Sequence, residues 1–254
     1  MKPSHPFASP ILATLVFVFG VLALSANPAS AFERVGDYEI TGVILEQVEY
    51  EGRPATAIEY ESRGFTDWWG MAKGALGFPE DPPNPIARIV GSEFSDGTIE
   101  VELSSTIVAS VLGMARGFAG IAFRISDDME SYEVVYVRPA NGRTDSEVRR
   151  SRALQYASHP SFHFDVSRKE APGVYEAGAD IGLDEWIKLR IEAQGEHARV
   201  FINDELALTV DDLKLGAGRS GGVALWVGIG TKAYFSNLKI TPSTAEPITP
   251  EKKD

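Results

Sequence analysis

The 254-residue chain contains no cysteine. Disulfides, thiolate metal sites, cysteine nucleophiles and a lipid anchor on cysteine are therefore excluded together. Positive charge is also short. Against 36 Asp and Glu stand 24 Lys and Arg, a formal net charge of −12. Such a chain repels phosphate backbones, so no nucleic-acid partner is expected. Only four histidines occur. His159 and His163 are the nearest pair, but Pro160 between them opposes the helix that would align them on zinc. No G-x-S-x-G elbow and no phosphate loop is present.

Long apolar runs are missing except at the start. Lys2, the uncharged stretch Ile11–Leu24 and the small residues Ala29-Ser-Ala31 have the three-part order of a secretory signal peptide. The stretch is shorter than the ~20 residues a membrane-spanning helix needs. The expectation is that residues 1–31 are cleaved near Ala31 and that the mature chain is secreted or periplasmic, with no transmembrane segment. Cleavage removes one lysine and takes the formal charge from −12 to −13.

What remains is rich in short alternating segments. Ala57–Tyr60, Gly97–Leu103, Ala119–Ile125, Tyr132–Val137, Trp186–Ile191, Ala198–Ile202, Val223–Val227 and Ala233–Ile240 read as strands. Asp96-Gly97, Asn141-Gly142, Asn203-Asp204 and Gly221-Gly222 read as turns between them. With no βαβ alternation, the fold class is all-β, a sandwich or barrel. Residues 32–241 are expected to form one domain, interrupted by a loop over 64–85. Trp68, Trp69 and Phe78 make that loop more apolar than a linker requires. Residues 242–254 read as a disordered tail.

The ordered series Phe94–Leu103, Gly120–Ile125, Tyr132–Pro139, Trp186–Glu192, Ala198–Asn203, Gly222–Trp226 and Ala233–Ile240 resembles the concanavalin A-like jelly-roll superfamily. The likeness runs from about Val35 to Ile240 and is strongest to laminin-G-type and 3-keto-disaccharide-hydrolase-type domains of secreted bacterial proteins. It implies two packed antiparallel sheets. It leaves function open, because one fold of this kind carries binding modules, enzymes and adhesion domains. Laminarinase-type hydrolases of the superfamily carry three alternating carboxylates on one strand. Here Glu100 and Glu102 are followed by Ser104, so that chemistry is disfavoured.

Candidate ligand-binding residues come from charge and aromatics within strands. A charged side chain in a strand must be paired or face solvent, which singles out Arg124 and Arg138. Alternation places Tyr132, Tyr136 and Arg138 on one strand face. Gln155 and Tyr156 follow on the next β-rich segment, and Trp226 alternates with the apolar Leu225 and Val227. Arg124, Tyr136, Arg138, Gln155, Tyr156 and Trp226 are thus the expected groove, with rings for sugar faces and fixed donors for hydroxyls. Trp186 and Phe235 read as core. Arg143, Arg149, Arg150 and Arg152 form a basic run after Arg138, either self-neutralised with Asp145 and Glu147 or a rim for an anionic saccharide. No metal site and no cofactor is expected, although Asp127, Asp128 and Glu130 offer a turn of oxygen ligands of the kind calcium prefers. Three functions remain open: a module binding a saccharide or cell-surface ligand; a hydrolase or lyase acting on a saccharide through Tyr, Arg and His; and an adhesion domain without a sugar site. No catalytic residue and no oligomeric state is assigned.

Overall fold

The computed structural model describes residues 33–62, 84–109 and 113–243. The leader, the 64–85 loop up to residue 83 and the tail beyond 243 lie outside the described residues. Among the described residues fifteen strands follow in chain order: β1 (Glu33–Val35), β2 (Tyr38–Thr41), β3 (Val43–Tyr50), β4 (Arg53–Tyr60), β5 (Ile86–Ile89), β6 (Gly97–Ile107), β7 (Ala119–Ile125), β8 (Tyr132–Val137), β9 (Leu154–His159), β10 (Glu176–Ala177), β11 (Ile187–Gln194), β12 (His197–Ile202), β13 (Glu205–Val210), β14 (Gly222–Val227) and β15 (Thr231–Pro242). Short helical segments α1 (Pro139–Gly142) and α2 (Glu147–Arg150) follow β8, and α3 (Phe164–Glu170) precedes β10.

All pairings are antiparallel, and the strands form two sheets. The first, sheet A, has the order β1-β2-β5-β14-β7-β8-β9-β10, and the second, sheet B, the order β13-β12-β11-β6-β15-β4-β3. The interleaved strand numbers record a chain that crosses between layers, as in a jelly roll. The expected all-β sandwich of two antiparallel sheets is the fold observed.

The two sheets differ in how they use alternation. In sheet B, β11 buries Ile187, Leu189, Ile191 and Ala193 and turns Lys188, Arg190 and Glu192 outward. Period-2 patterning with one wetted face produces this. In sheet A, β7, β8 and β14 are buried along their whole length. Ile121, Phe123, Val135, Val137, Tyr156, Val223 and Leu225 point into the core between the sheets. The opposite face of sheet A carries its own apolar layer of Ile86, Ala122, Tyr132, Val134, Tyr136, Ala224 and Trp226.

Phe235 lies in the core as expected, but Trp186 does not. It precedes β11, packs edge-on against Tyr50 at 5.7 Å and has Arg53 over its ring at 4.9 Å. It belongs to an aromatic group at the margin of sheet B, where Tyr50 also stacks on Tyr234 at 3.7 Å.

Candidate functional site

A single cross-strand row on the outer face of sheet A organises the site. Register sets Glu176 of β10 opposite Gln155 of β9, Gln155 opposite Tyr136 of β8, Tyr136 opposite Gly120 of β7, and Gly120 opposite Trp226 of β14. Gly120 makes the row possible. A Cβ there would sit 2.1 Å from the Val135 carbonyl oxygen and 2.7 Å from the Tyr136 Cβ. With none, the rings of Tyr136 and Trp226 meet across it at 4.7 Å. Phe118 closes on Tyr136 edge-on at 6.2 Å.

Arg138, just past the end of β8, ties the polar half of the row together. Its Nη2 donates to the Tyr136 hydroxyl and to Gln155 Oε1, each at 3.0 Å, and its Nη1 donates to Glu176 Oε1 at 2.8 Å. Both charged side chains are nearly sealed from solvent, 5% exposed for Arg138 and 4% for Glu176. Arg168, in the last turn of α3, grips the same carboxylate twice, at 2.9 and 2.5 Å, and Arg152 Nε lies 3.5 Å away. Arg168 is held by its own helix, its guanidinium lying 4.9 Å from the Phe164 ring one turn earlier. Burial alone would raise the Glu176 pKa, but hydrogen bonds from Arg168 and Arg138 outweigh it and hold the carboxyl below its usual range. Burial keeps the Tyr136 hydroxyl a neutral phenol, its pKa raised despite Arg138.

Beside this cluster lies a cavity of about 330 Å³, lined by Ser151, Arg152, Arg168, Gly173, Glu176 and Gly178 among others. Guanidinium donors and a serine hydroxyl around an open space can hold a polyhydroxylated ring by hydrogen bonds.

Of the six residues expected from sequence, Tyr136, Arg138, Gln155 and Trp226 are brought together and two are not. Arg124 fails because of a β-bulge: the pairing of β7 with β14 skips it between Phe123 and Ile125, and its backbone takes φ 55°. A bulge breaks the period of two and re-aims the side chain. Arg124 is fully buried at the other end of β7, where it donates to the carbonyls of Ser95, Gly195 and Gly216 and pairs with Asp96 at 3.1 Å. Tyr156 fails because it is adjacent to Gln155, and neighbours in a strand point to opposite faces. It lies in the core between the sheets, donates to Glu133 Oε2 at 2.7 Å and accepts from the Lys214 backbone N–H at 2.8 Å.

The basic run also divides. Arg143 pairs with Asp180 and Glu185, Arg149 donates to Asn141 and the Ala140 carbonyl, and Arg150 donates to the Thr144 carbonyl. Only Arg138 and Arg152 reach the site. Glu176 and Arg168 were not anticipated. Glu176 sits in a two-residue strand, too short for any periodicity to announce it. The acidic turn caps itself, Asp128 Oδ1 accepting from the Glu130 N–H at 3.0 Å. Among the described residues no cluster of three or more His, Asp or Glu gathers as a metal site.

Residues 60–241, which contain the whole row, match the 3-keto-alpha-glucoside-1,2-lyase-like domain. The chain belongs to that family. A 3-keto-alpha-glucoside-1,2-lyase-like domain is a saccharide-related domain, in keeping with the jelly roll. No curated protein matches it. Among solved structures it is similar to the carbohydrate-binding module CBM66 from Bacillus subtilis, at 15% identity and a TM-score of 0.46, covering 78% of this chain and 94% of that one. A Bacillus subtilis protein with a galectin-like fold is 9% identical with a TM-score of 0.45, covering 79% and 96%. The galectin LEC-6 from Caenorhabditis elegans is 14% identical with a TM-score of 0.36, covering 61% and 94%. Among the described residues no helix of this lyase-like domain is long and apolar enough to cross a membrane.

Proposed function

We propose that the chain is an exported saccharide-interaction module whose ligand meets sheet A at its β8–β10 edge. The observation that carries this reading is the convergence of Tyr136, Arg138, Gln155 and Glu176 on one row beside an open cavity. Tyr136 and Trp226 are only 6% and 9% exposed, so the rings form the floor of the site rather than a flat platform. Hydroxyl recognition then falls to Ser151 and Arg168 at the cavity mouth. Export rests on the leader-like residues 1–31.

Family membership favours a second reading at the same place: elimination on a 3-keto sugar. Such a step passes the C2 proton beside the carbonyl to water in the open cavity, forms a double bond between C1 and C2, and breaks the bond from C1 to its departing oxygen. Tyr136, kept neutral by burial, is suited to donate a proton to that oxygen. One variant addresses both readings. Tyr136→Phe keeps the ring and removes the hydroxyl that Arg138 holds. On an oligosaccharide array it is expected to bind about tenfold more weakly than wild type, the scale of one hydrogen bond. With a 3-keto disaccharide, the eliminative reading expects wild type to generate an ultraviolet-absorbing unsaturated ketone and Tyr136→Phe not to. Wild type that retains no saccharide and turns over no keto sugar would leave a structural adhesion domain as the answer.

A further inference from the structure

The charges around Glu176 do not balance. Three guanidinium groups, from Arg138, Arg152 and Arg168, surround one carboxylate, which leaves two positive charges over. This excess sits in a chain whose net charge is −12. The carboxylate is already spent. Arg138 and Arg168 occupy it from inside and from the helix, and it is 4% exposed. Arg152 reaches it only at 3.5 Å through Nε. Both terminal nitrogens of Arg152 and Nη1 of Arg168 have no hydrogen-bond partner among the described residues. Both side chains are part-exposed, 37% for Arg152 and 27% for Arg168, and both line the 330 Å³ cavity. Nearby basic residues that could have been part of the same excess are neutralised or bonded elsewhere, as Arg143 is by Asp180 and Glu185.

Unpaired guanidinium donors at the mouth of a cavity match an oxyanion, which accepts two parallel hydrogen bonds from such a fork. We propose that this cavity is an anion subsite that takes the acidic group of a charged saccharide, either the carboxylate of a uronic acid or a sulfate ester. The proposal rests on the saccharide reading above and adds the substrate class to it. Arg152 is the free arm of the subsite and Arg168 the anchored one. Glu176 fixes the position of Arg168 and does not touch the ligand. A neutral sugar leaves the terminal nitrogens of Arg152 in water, whereas an acidic one replaces that water with a charge-assisted pair.

The test uses matched ligands on the full mature chain. Oligogalacturonate and its methyl ester differ only in charge. A sulfated galactan oligosaccharide and its desulfated form give the second pair. Binding is read by titration calorimetry at 50 and 300 mM salt. The acid is expected to bind at least tenfold tighter than the ester at low salt, with the advantage shrinking at high salt. Whichever charged pair shows the preference identifies the oxyanion. Arg152→Gln is expected to abolish the preference, acid binding falling to the level of the ester, while leaving the melting temperature unchanged. Equal binding of charged and neutral partners overturns the anion subsite and leaves the saccharide reading standing. Loss of ester binding together with acid binding in Arg152→Gln overturns it as well, since Arg152 would then serve neutral sugars. Inorganic sulfate binding as tightly as the charged saccharide shows a bare anion site and overturns the assignment to a saccharide. Absence of binding to all four ligands and to a neutral array removes both conclusions together.

Discussion

Arg138→Ala separates a residue held by the fold from one held in reserve for a ligand. In the folded chain Arg138 donates to Tyr136 and Gln155 at 3.0 Å, to Glu176 at 2.8 Å and to the Arg152 carbonyl at 3.3 Å. Breaking a buried ion pair by deleting one partner costs about 3–5 kcal/mol, because the other charge is left stranded. Here the stranding is incomplete, since Arg168 still grips Glu176 at 2.9 and 2.5 Å. The expected loss is therefore nearer 2–3 kcal/mol, roughly that of two charge-assisted hydrogen bonds. For a domain of this size each kcal/mol moves the melting temperature by about 2–4 °C, so the variant should melt roughly 5–10 °C below wild type. Urea denaturation followed by tryptophan fluorescence supplies the free energy directly. The companion Glu176→Gln, alone and combined with Arg138→Ala, closes a thermodynamic cycle, and the double variant should be less destabilised than the two single losses added, by about 1 kcal/mol or more. An Arg138→Ala protein that melts within a degree of wild type would refute the reasoning and return Arg138 to the role of a free ligand contact.

Two further outcomes follow from buried groups. His159 stacks on Tyr132 at 4.3 Å, and burial, with a smaller contribution from His163, lowers its pKa from 6.5 to about 3. The imidazole is thus neutral in the folded chain and takes a proton in the unfolded chain below pH 6.5, so its contribution to stability is present above 6.5 and is lost as pH falls from there toward 3. Between pH 7 and 5 this amounts to about 1–2 kcal/mol, and His159→Gln should flatten the dependence of stability on pH by that amount; an unchanged slope refutes the assignment. Arg124→Met would leave the carbonyls of Ser95, Gly195 and Gly216 without this donor, while Asp96 keeps the Gly195 N–H; at about 1–3 kcal/mol for each buried group left unsatisfied, the variant should fold poorly or melt more than 10 °C lower, and near-wild-type stability would show that the loops it holds do not need it.

Strands of the sandwich were legible either from alternation, as in β11 where one residue in two is buried, or from short apolar, β-branched and aromatic runs, as in β7 and β8 which are buried throughout. The expected spans Ala119–Ile125 and Tyr132–Val137 coincide with β7 and β8. β3, with Leu45-Glu-Gln between its apolar ends and a wetted surface, carries a fainter pattern and was not picked out. Within the site, Tyr136, Gln155 and Arg138 were reachable because they follow the pleat or stand just beyond it. Arg124 was not, since a bulge leaves no mark in hydropathy. Glu133 was legible in principle: it shares the inward face of β8 with Val135 and Val137, and a carboxylate there demands partners. It finds them in Tyr156 and the Leu215 N–H, while burial pushes its pKa above the usual range. Glu176 and Arg168 are joined to Arg138 only by tertiary contact across 30–38 positions of chain, and no local pattern encodes that.

The bulge at Arg124 has a consequence for how this domain can change. One guanidinium fastens the turn before β6, the β11–β12 hairpin and the connection from β13 to β14, so it laces both sheets together at one end of the sandwich. Lengthening any of those loops would pull a carbonyl off the shared cation, and the other two would lose their common anchor with it. That end of the molecule is closed to insertion. At the opposite end, where β8 runs out into Arg138 and the short helical segments begin, the buried guanidinium of Arg138 ties together strands and connections of sheet A alone. New ligand preferences, in nature or in the laboratory, have that end in which to arise: segments there can be exchanged while the far end holds the two sheets of the sandwich in place.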